Sequence, residues 1–503
     1  MERLHDACGI VGILAKENGE HIDVRRYLTL ALTALQHRGQ ESAGMAVYND
    51  DGKIVNRVSM GKVREVFSDT GTGLPETRCG IGHVRYSTTG SSCVENAGPF
   101  VVGEWRGKRE TIAVAHNGNL VNGPDLREKL PSTYLQSTTD SEAIALLLLH
   151  AEGPTLRERM IATLPMLRGA YSLVMLAEGK LYAMRDPWGM RPLCIGRIGD
   201  NWIVASESCA IDRIGATFVR KVEPGEFITI DEQGMHSEML VSLPRKSLCV
   251  FEYIYFSDAT SQLNGRFTYE VREALGRELA KEHPIEADLV TPVPDSSIPA
   301  ALGYAEQSGI PYGQAIIKNR YSDRTFIKPD QRLRELEVDL KFNMVKPKIA
   351  GKRLIIVDDS IVRGNTMKRL VAALRHQGVK EIHLRSSSPP LRHPCYFGID
   401  IPQENELIAA GRTIQEVADY IGVDSLGYLS VNGLGRAIAS ASNANDTSNT
   451  RNADDISDSE AHSLLHREFC YGCMEQRGWP FDPAEAHAIA PIVIERQPTR
   501  ARG

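Results

Sequence analysis

No stretch of the sequence approaches the roughly 20 apolar residues that a membrane span requires, and its first residues, MERLHDA, lack the apolar segment of a secretory signal. Membrane insertion is therefore set aside and a cytoplasmic location is expected. A Lys/Arg run is missing too. The 58 basic and 64 acidic residues leave a net charge of −6 over 503 residues, which argues against a nucleic-acid partner. No internal repeat is visible. Nine cysteines in a reducing compartment are expected as thiols, so grouped ones point to metal or catalysis ahead of disulfides. What is present is ordinary for a globular chain, 42% hydrophobic and 24% charged, with length for two or three domains.

Two rhythms divide that length. From Cys8 to about Ile230 short apolar runs such as GIVGIL, AGMAVYND, CGIGHVRYST, TIAVAHNGNL and GAYSLVML alternate with Gly-rich turns and read as strands. Only VRRYLTLALTALQHRG and DSEAIALLLLHA carry a strong helical period, so an α+β layered domain is expected. From about Glu270 helices and strands alternate, as in a parallel α/β sheet. The segment of about Ser440 to Ser463 has almost no large apolar residue and reads as a disordered insertion.

The most specific string is RLIIVDDSIVRGNT. An apolar strand ends in Asp358 and Asp359, and a short polar loop leads to a helix beginning near Thr366. Ligands of open α/β sheets bind at the carboxyl ends of strands, and backbone N–H groups before a helix cradle phosphate. A bare Asp-Asp pair would be an ordinary solvated connection; the whole string is far more specific. It resembles the phosphoribosylpyrophosphate (PRPP) loop of type I phosphoribosyltransferases. The resemblance implies that Asp358 and Asp359 bind the ribose hydroxyls and that Ser360 through Thr366, including Arg363, Gly364 and Asn365, wrap the 5′-phosphate. Asn365 departs from the commoner threonine. By the same resemblance PVPDSS supplies Ser296 as a Mg2+ ligand beside Asp358 and Asp359, and IKNRYSDRTFI closes over pyrophosphate with Lys318, Arg320 and Arg324. So anionic a leaving group calls for Mg2+ and basic side chains.

The opening ACGIVGI places Cys8 at a strand start, where a cysteine is ordinarily a small apolar residue. Removal of Met1–Ala7 would put a thiol and an α-amine on one residue, and that amine, with a pKa of about 7.7 to 8.0, suits the base. With QHRGQESAG, GHVRYSTTG, AHNGNL and TTDSEAI the start resembles the class II glutamine amidotransferases, of N-terminal nucleophile hydrolase fold. Arg85 suits the α-carboxylate of glutamine and Asp140 its α-ammonium, while Asn117 and Gly118 offer two N–H donors to an oxyanion. Singly, each also reads blandly: a surface ion pair, a helix N-cap, an Asn-Gly hairpin turn.

The two halves together resemble the amidophosphoribosyltransferases, from Cys8 to about Gly435. The resemblance implies a domain order: residues 1–7 as propeptide, 8–235 as amidotransferase, 236–435 as phosphoribosyltransferase, and 436–503 as insertion and tail. Implied too are transfer of the glutamine amide nitrogen to PRPP in purine synthesis, an internal ammonia channel, a homo-oligomer, commonly a tetramer, and inhibition by purine nucleotides. Cys470 and Cys473 form a Cys-x-x-Cys, with Cys249 and Cys395 elsewhere; four thiolates hold zinc or a 4Fe-4S cluster, and the spacing alone does not decide. Resemblance to the iron-sulfur branch favours one 4Fe-4S cluster, expected to tie the tail across the domain junction. Cys79, Cys93, Cys194 and Cys209 read as buried apolar residues. Other class II amidotransferases would lack VDDSIVRGNT, and a PRPP-sensing regulator would not need Cys8, Arg85 and Asp140.

Overall fold

GIVGIL is apolar without alternation because the strand it forms is covered on both faces. In a computed structural model, which describes residues 8–67, 73–86, 91–105, 108–319, 342–399, 403–441 and 452–483, this strand, β1 (Gly9–Leu14), is buried along its whole length. The expected propeptide, Arg320, Arg324 and the end of the tail lie outside the described residues. The chain divides into two compact units. One runs to Lys246 and takes in Tyr396–Ile399 and the stretch from Phe481; the other holds Ser247–Cys395 and Asp400–Pro480.

The N-terminal unit holds two antiparallel sheets. The strands after β1 are β2 (Ser42–Tyr48), β3 (Ile54–Met60), β4 (Cys79–Arg85), β5 (Phe100–Trp105), β6 (Lys108–Leu120) and β7 (Gly169–Ala177). Then come β8 (Lys180–Arg185), β9 (Cys194–Ile198), β10 (Asn201–Ala205), β11 (Thr217–Lys221), β12 (Glu226–Asp231) and β13 (Gly234–Met239). One sheet has the order β11-β9-β10-β1-β4-β2-β3, the other β13-β12-β8-β7-β6-β5. Ile10, Leu14 and Ile81 of the first meet Ala113, Ala115, Val174 and Leu176 of the second in one buried cluster. The sheets approach closely over the second glycine of the opening motif: a Cβ at Gly12 would lie 2.5 Å from Val174 and 2.7 Å from Leu181. The outer face of the first sheet packs on helix Val24–Ala34, capped by Asp23. That of the second packs on Asp140–His150. Layered α+β architecture follows from continuous apolar runs covered on both sides.

The C-terminal unit carries a parallel sheet of Leu289–Pro292, Arg353–Asp358, Glu381–Ser386 and Ser425–Tyr428, in that order. Helices Ile298–Ser308, Asn365–His376 and Ile414–Ile421 lie between consecutive strands. Leu354, Ile356, Leu370 and Leu374 are among its buried core. Among the described residues no helix is long and apolar enough to cross a membrane.

Three expectations need correction. A boundary at 235 would cut β13, which pairs with β12 along its length, so the N-terminal unit extends to Lys246. A boundary at 435 would cut helix Val431–Ser440. The stretch read as disordered to Ser463 is ordered where described: Ser457 and Glu460 form a capping box, and helix Asp458–Glu468 follows. It lacks large apolar residues because its contact is close. Ala461 is fully buried, and a Cβ at Gly435 would come within 2.7 Å of the Ala461 carbonyl oxygen.

Candidate active sites and a thiol cluster

Cys8 immediately precedes β1, the central strand of its sheet, and antiparallel pairing with β4 sets it beside the end of that strand, where Arg85 lies. The Cys8 thiol is buried and donates to the Tyr86 carbonyl at 3.6 Å. Burial pushes the thiol above its ordinary pKa; Arg85 and Arg38 pull it down and Asp140 pushes it further up. Arg85 itself is buried and lies 3.9 Å from Glu41. The bland reading of a surface pair therefore does not apply.

Asp140 is also buried, but it does not cap its helix. Thr139 does, accepting from the Glu142 amide, while Asp140 Oδ2 accepts from the Leu120 amide at 2.8 Å. Asn117 and Gly118 are not a hairpin turn either. They lie inside β6, opposite Ser172 and Tyr171. Gly118 has φ of +152°, and a Cβ there would fall 2.0 Å from the Ala170 carbonyl oxygen, so only glycine keeps this register. Fully buried Asn117 donates from Nδ2 to Ser206 Oγ at 3.5 Å, and Ser206 Oγ in turn accepts from the Ile10 amide at 3.0 Å.

Sequence reasoning did not single out the supports of Cys8. Arg38 Nε donates to the Cys8 carbonyl at 3.1 Å, and its guanidinium pairs with Glu207 at 2.5 Å, both side chains having no exposed surface. His37 Nε2 lies 2.8 Å from the same carboxylate. Arg38 stands in the quoted QHRGQESAG; Glu207, 169 residues away, carries no local signal.

In the C-terminal unit the two PRPP-type motifs meet at the carboxyl ends of neighbouring parallel strands. Ser296 Oγ donates to Asp359 Oδ2 at 2.5 Å, Ser297 Oγ to Asp358 Oδ1 at 3.3 Å, and Ser360 Oγ to Asp359 Oδ1 at 2.8 Å. Asp358 and Asp359 are buried. Gly364, at φ +78°, turns the chain into helix Asn365–His376 with no side-chain cap, and the N-terminus of such a helix is of the kind that suits an anion. Lys318 pairs with Asp295 at 2.8 Å. The carboxylates and Ser296 are hard oxygen donors, a set that fits Mg2+.

The four cysteines far apart in sequence come together. Leu248–Cys249 pairs in parallel with Phe469–Cys470, setting Cys249 against Cys470, and the amides of Arg392 and His393 both donate to the Cys473 carbonyl. Burial first, then Cys395, Cys249 and Cys470, push the Cys473 thiol well up. Among the described residues no three Cys, His, Asp or Glu side chains enclose a single metal ion as they stand. All four cysteines belong to the C-terminal unit, so they do not bridge the two units as expected. Of the remaining cysteines, Cys79, Cys194 and Cys209 are buried as expected, but Cys93 is only half-buried, in a polar SSCVEN turn with Ser91 Oγ 3.4 Å from its sulfur.

Two domain families match: a glutamine amidotransferase domain over residues 97–213 and a phosphoribosyl transferase domain over residues 261–387. The amidophosphoribosyltransferase of Archaeoglobus fulgidus is 47% identical over 441 residues, 86% of this chain and 94% of that protein. That of Bacillus subtilis is 43% identical over 86% of this chain and 90% of that protein. A solved structure, glutamine PRPP amidotransferase from B. subtilis complexed with ADP and GMP, superposes with a TM-score of 0.83 at 40% identity, covering 94% of this chain and 97% of the other.

Proposed function

The chain belongs to the amidophosphoribosyltransferases, and from that premise we infer how its residues divide the reaction. The enzyme transfers the amide nitrogen of glutamine to PRPP, giving 5-phosphoribosylamine, glutamate and pyrophosphate, the committing step of de novo purine synthesis. In our reading Arg85 and Asp140 hold the α-carboxylate and α-ammonium of glutamine. The Cys8 sulfur attacks the side-chain amide carbon, Asn117 Nδ2 and the Gly118 amide stabilise the oxyanion, and ammonia leaves as a thioester forms. Water then releases glutamate. Ammonia next attacks C1 of PRPP as pyrophosphate departs, with Asp358 and Asp359 on the ribose, Ser360–Thr366 around the 5′-phosphate, and Lys318, Arg320 and Arg324 toward pyrophosphate.

One observation carries this reading: the pairing of β1 with β4 sets buried Cys8 beside buried Arg85, and Arg38 Nε holds the Cys8 carbonyl at 3.1 Å. A buried thiol raised above its ordinary value needs a base, and the base we propose is its own α-amine, freed by loss of Met1–Ala7. Intact-mass measurement of active enzyme should therefore give a chain beginning at Cys8, and retention of MERLHDA would sink the amine-as-base mechanism. Cys8→Ala should abolish glutamine use yet leave synthesis from high ammonia. Loss of both would contradict the division.

For Mg2+ we propose Ser296, Asp358 and Asp359, where the ion would screen charge on the departing pyrophosphate. For Cys249, Cys395, Cys470 and Cys473 we propose one 4Fe-4S cluster of structural role, placing the chain in the iron-sulfur branch. Supporting it is the convergence of the four thiols, with Cys249 paired against Cys470 and the Cys473 carbonyl held by the amides of Arg392 and His393, two residues before Cys395. No electron enters or leaves the reaction. The ADP and GMP with which the B. subtilis enzyme is complexed support inhibition by purine nucleotides, which we propose compete with PRPP. A cytoplasmic homo-oligomer, a tetramer, completes the proposal, and light scattering measures its mass.

A further inference from the structure

Asn365 stands where loops of this kind more often carry threonine, and it has a partner that no motif announces. The Tyr420 hydroxyl donates to Asn365 Oδ1 at 2.6 Å. Tyr420 lies in helix Ile414–Ile421, with Lys368 Nζ 4.1 Å from its ring centre and Arg412 Cζ 5.9 Å away. Two further contacts hold the same loop: the Ile408 amide donates to the Val362 carbonyl at 2.8 Å, and Arg363 Nε to Glu406 at 2.8 Å. Arg363, Asn365 and Tyr420 also help to line a cavity of about 440 Å³. The loop is thus fastened at separate points.

A threonine hydroxyl is donor and acceptor at one atom and rotates to suit an anion. An asparagine amide has a donor end and an acceptor end, and only the donor end serves phosphate. We propose that Tyr420 is a positioning residue for PRPP: by donating to Oδ1 it fixes the orientation of the Asn365 amide and presents Nδ2 to the 5′-phosphate. This rests on the reading of Asp358–Thr366 as the PRPP loop. Asn365 and Tyr420 then form a pair in which the tyrosine matters because the loop residue is asparagine.

The test is a set of variants of the full chain, assayed with ammonia as nitrogen donor so that the glutamine site does not enter. Tyr420→Phe keeps the ring under Lys368 and removes one hydrogen bond; KM for PRPP should rise about fivefold with kcat little changed. With the KM of Asn365→Thr itself as the reference, adding Tyr420→Phe to that variant should change KM by less than about twofold. A KM unchanged in Tyr420→Phe, or raised equally in the Asn365→Thr background, would overturn the proposal. Asp358→Ala is the control. If it abolishes PRPP use while Tyr420→Phe is silent, only the positioning role fails; if it leaves PRPP use intact, the loop assignment fails and the role with it.

Discussion

Cys8 shows how a residue acquires chemistry from its surroundings. Its carbonyl is held by Arg38, its thiol lies against Tyr86, and the charges about it belong to β4, the helix at Asp140 and the loop after helix Val24–Ala34. The motif residues were legible because each lies in a short distinctive string. Glu207 and Ser206 were not, since their partners are more than a hundred residues away and pairing of that range leaves no local pattern. A second buried residue of this region yields a prediction about pH. Burial, then the charges of Arg85 and His116, push the His83 imidazole down to about 3. In the unfolded chain it protonates near 6.5, so between those values the unfolded state binds the extra proton. Stability is therefore full above about 6.5 and falls as pH drops toward 3, by an amount of order 5 kcal/mol. Thermal melts across that window should show the loss, and His83→Asn should flatten it; an unchanged slope would mean that another group carries the acid limb.

At the scale of elements, strands were read more faithfully than their ends. GIVGIL, CGIGHVR and RLIIVD stand where the apolar runs put them because continuous burial leaves a continuous apolar signal. The Asn-Gly of β6 was ambiguous: the same dipeptide makes hairpin turns, and only pairing with β7 shows it inside a strand. Helix Asp458–Glu468 went unseen because up to Ser463 it buries only the small Ala461, and its large buried residue, Leu465, comes after the stretch read as disordered. Gly118→Ala tests the strand reading. A Cβ 2.0 Å from the Ala170 oxygen must shift β6 against β7. Overpacking of this kind typically costs about 1–3 kcal/mol, and glutamine-dependent activity should fall at least about 100-fold through displacement of an oxyanion donor. Ammonia-dependent synthesis should persist. Equal loss of both activities would place the damage in folding rather than in the oxyanion site.

At the scale of the whole molecule, the order of two domain types was legible because alternating strands and helices and strand-rich antiparallel runs differ in period. The unit boundaries and the closure of the cysteines were less so, because both depend on segments that meet through tertiary pairing, Leu248–Cys249 with Phe469–Cys470 above all. That pairing makes the thiol cluster a fastener of the C-terminal unit, and folding should depend on what it binds. Purified under exclusion of oxygen, the protein should be brown and hold about four irons per chain; stoichiometric zinc, or a colourless and fully active protein, would overturn the cluster. The division of labour between Cys8 and the Asp358–Asp359 loop is tested most directly by release of pyrophosphate from PRPP, measured with glutamine and with ammonia in the wild type, Cys8→Ala and Asp359→Ala. We predict that wild type uses both donors, that Cys8→Ala uses ammonia alone, and that Asp359→Ala uses neither while still hydrolysing some glutamine. Glutamine-dependent pyrophosphate release by Cys8→Ala, or wild-type PRPP use by Asp359→Ala, would contradict the account.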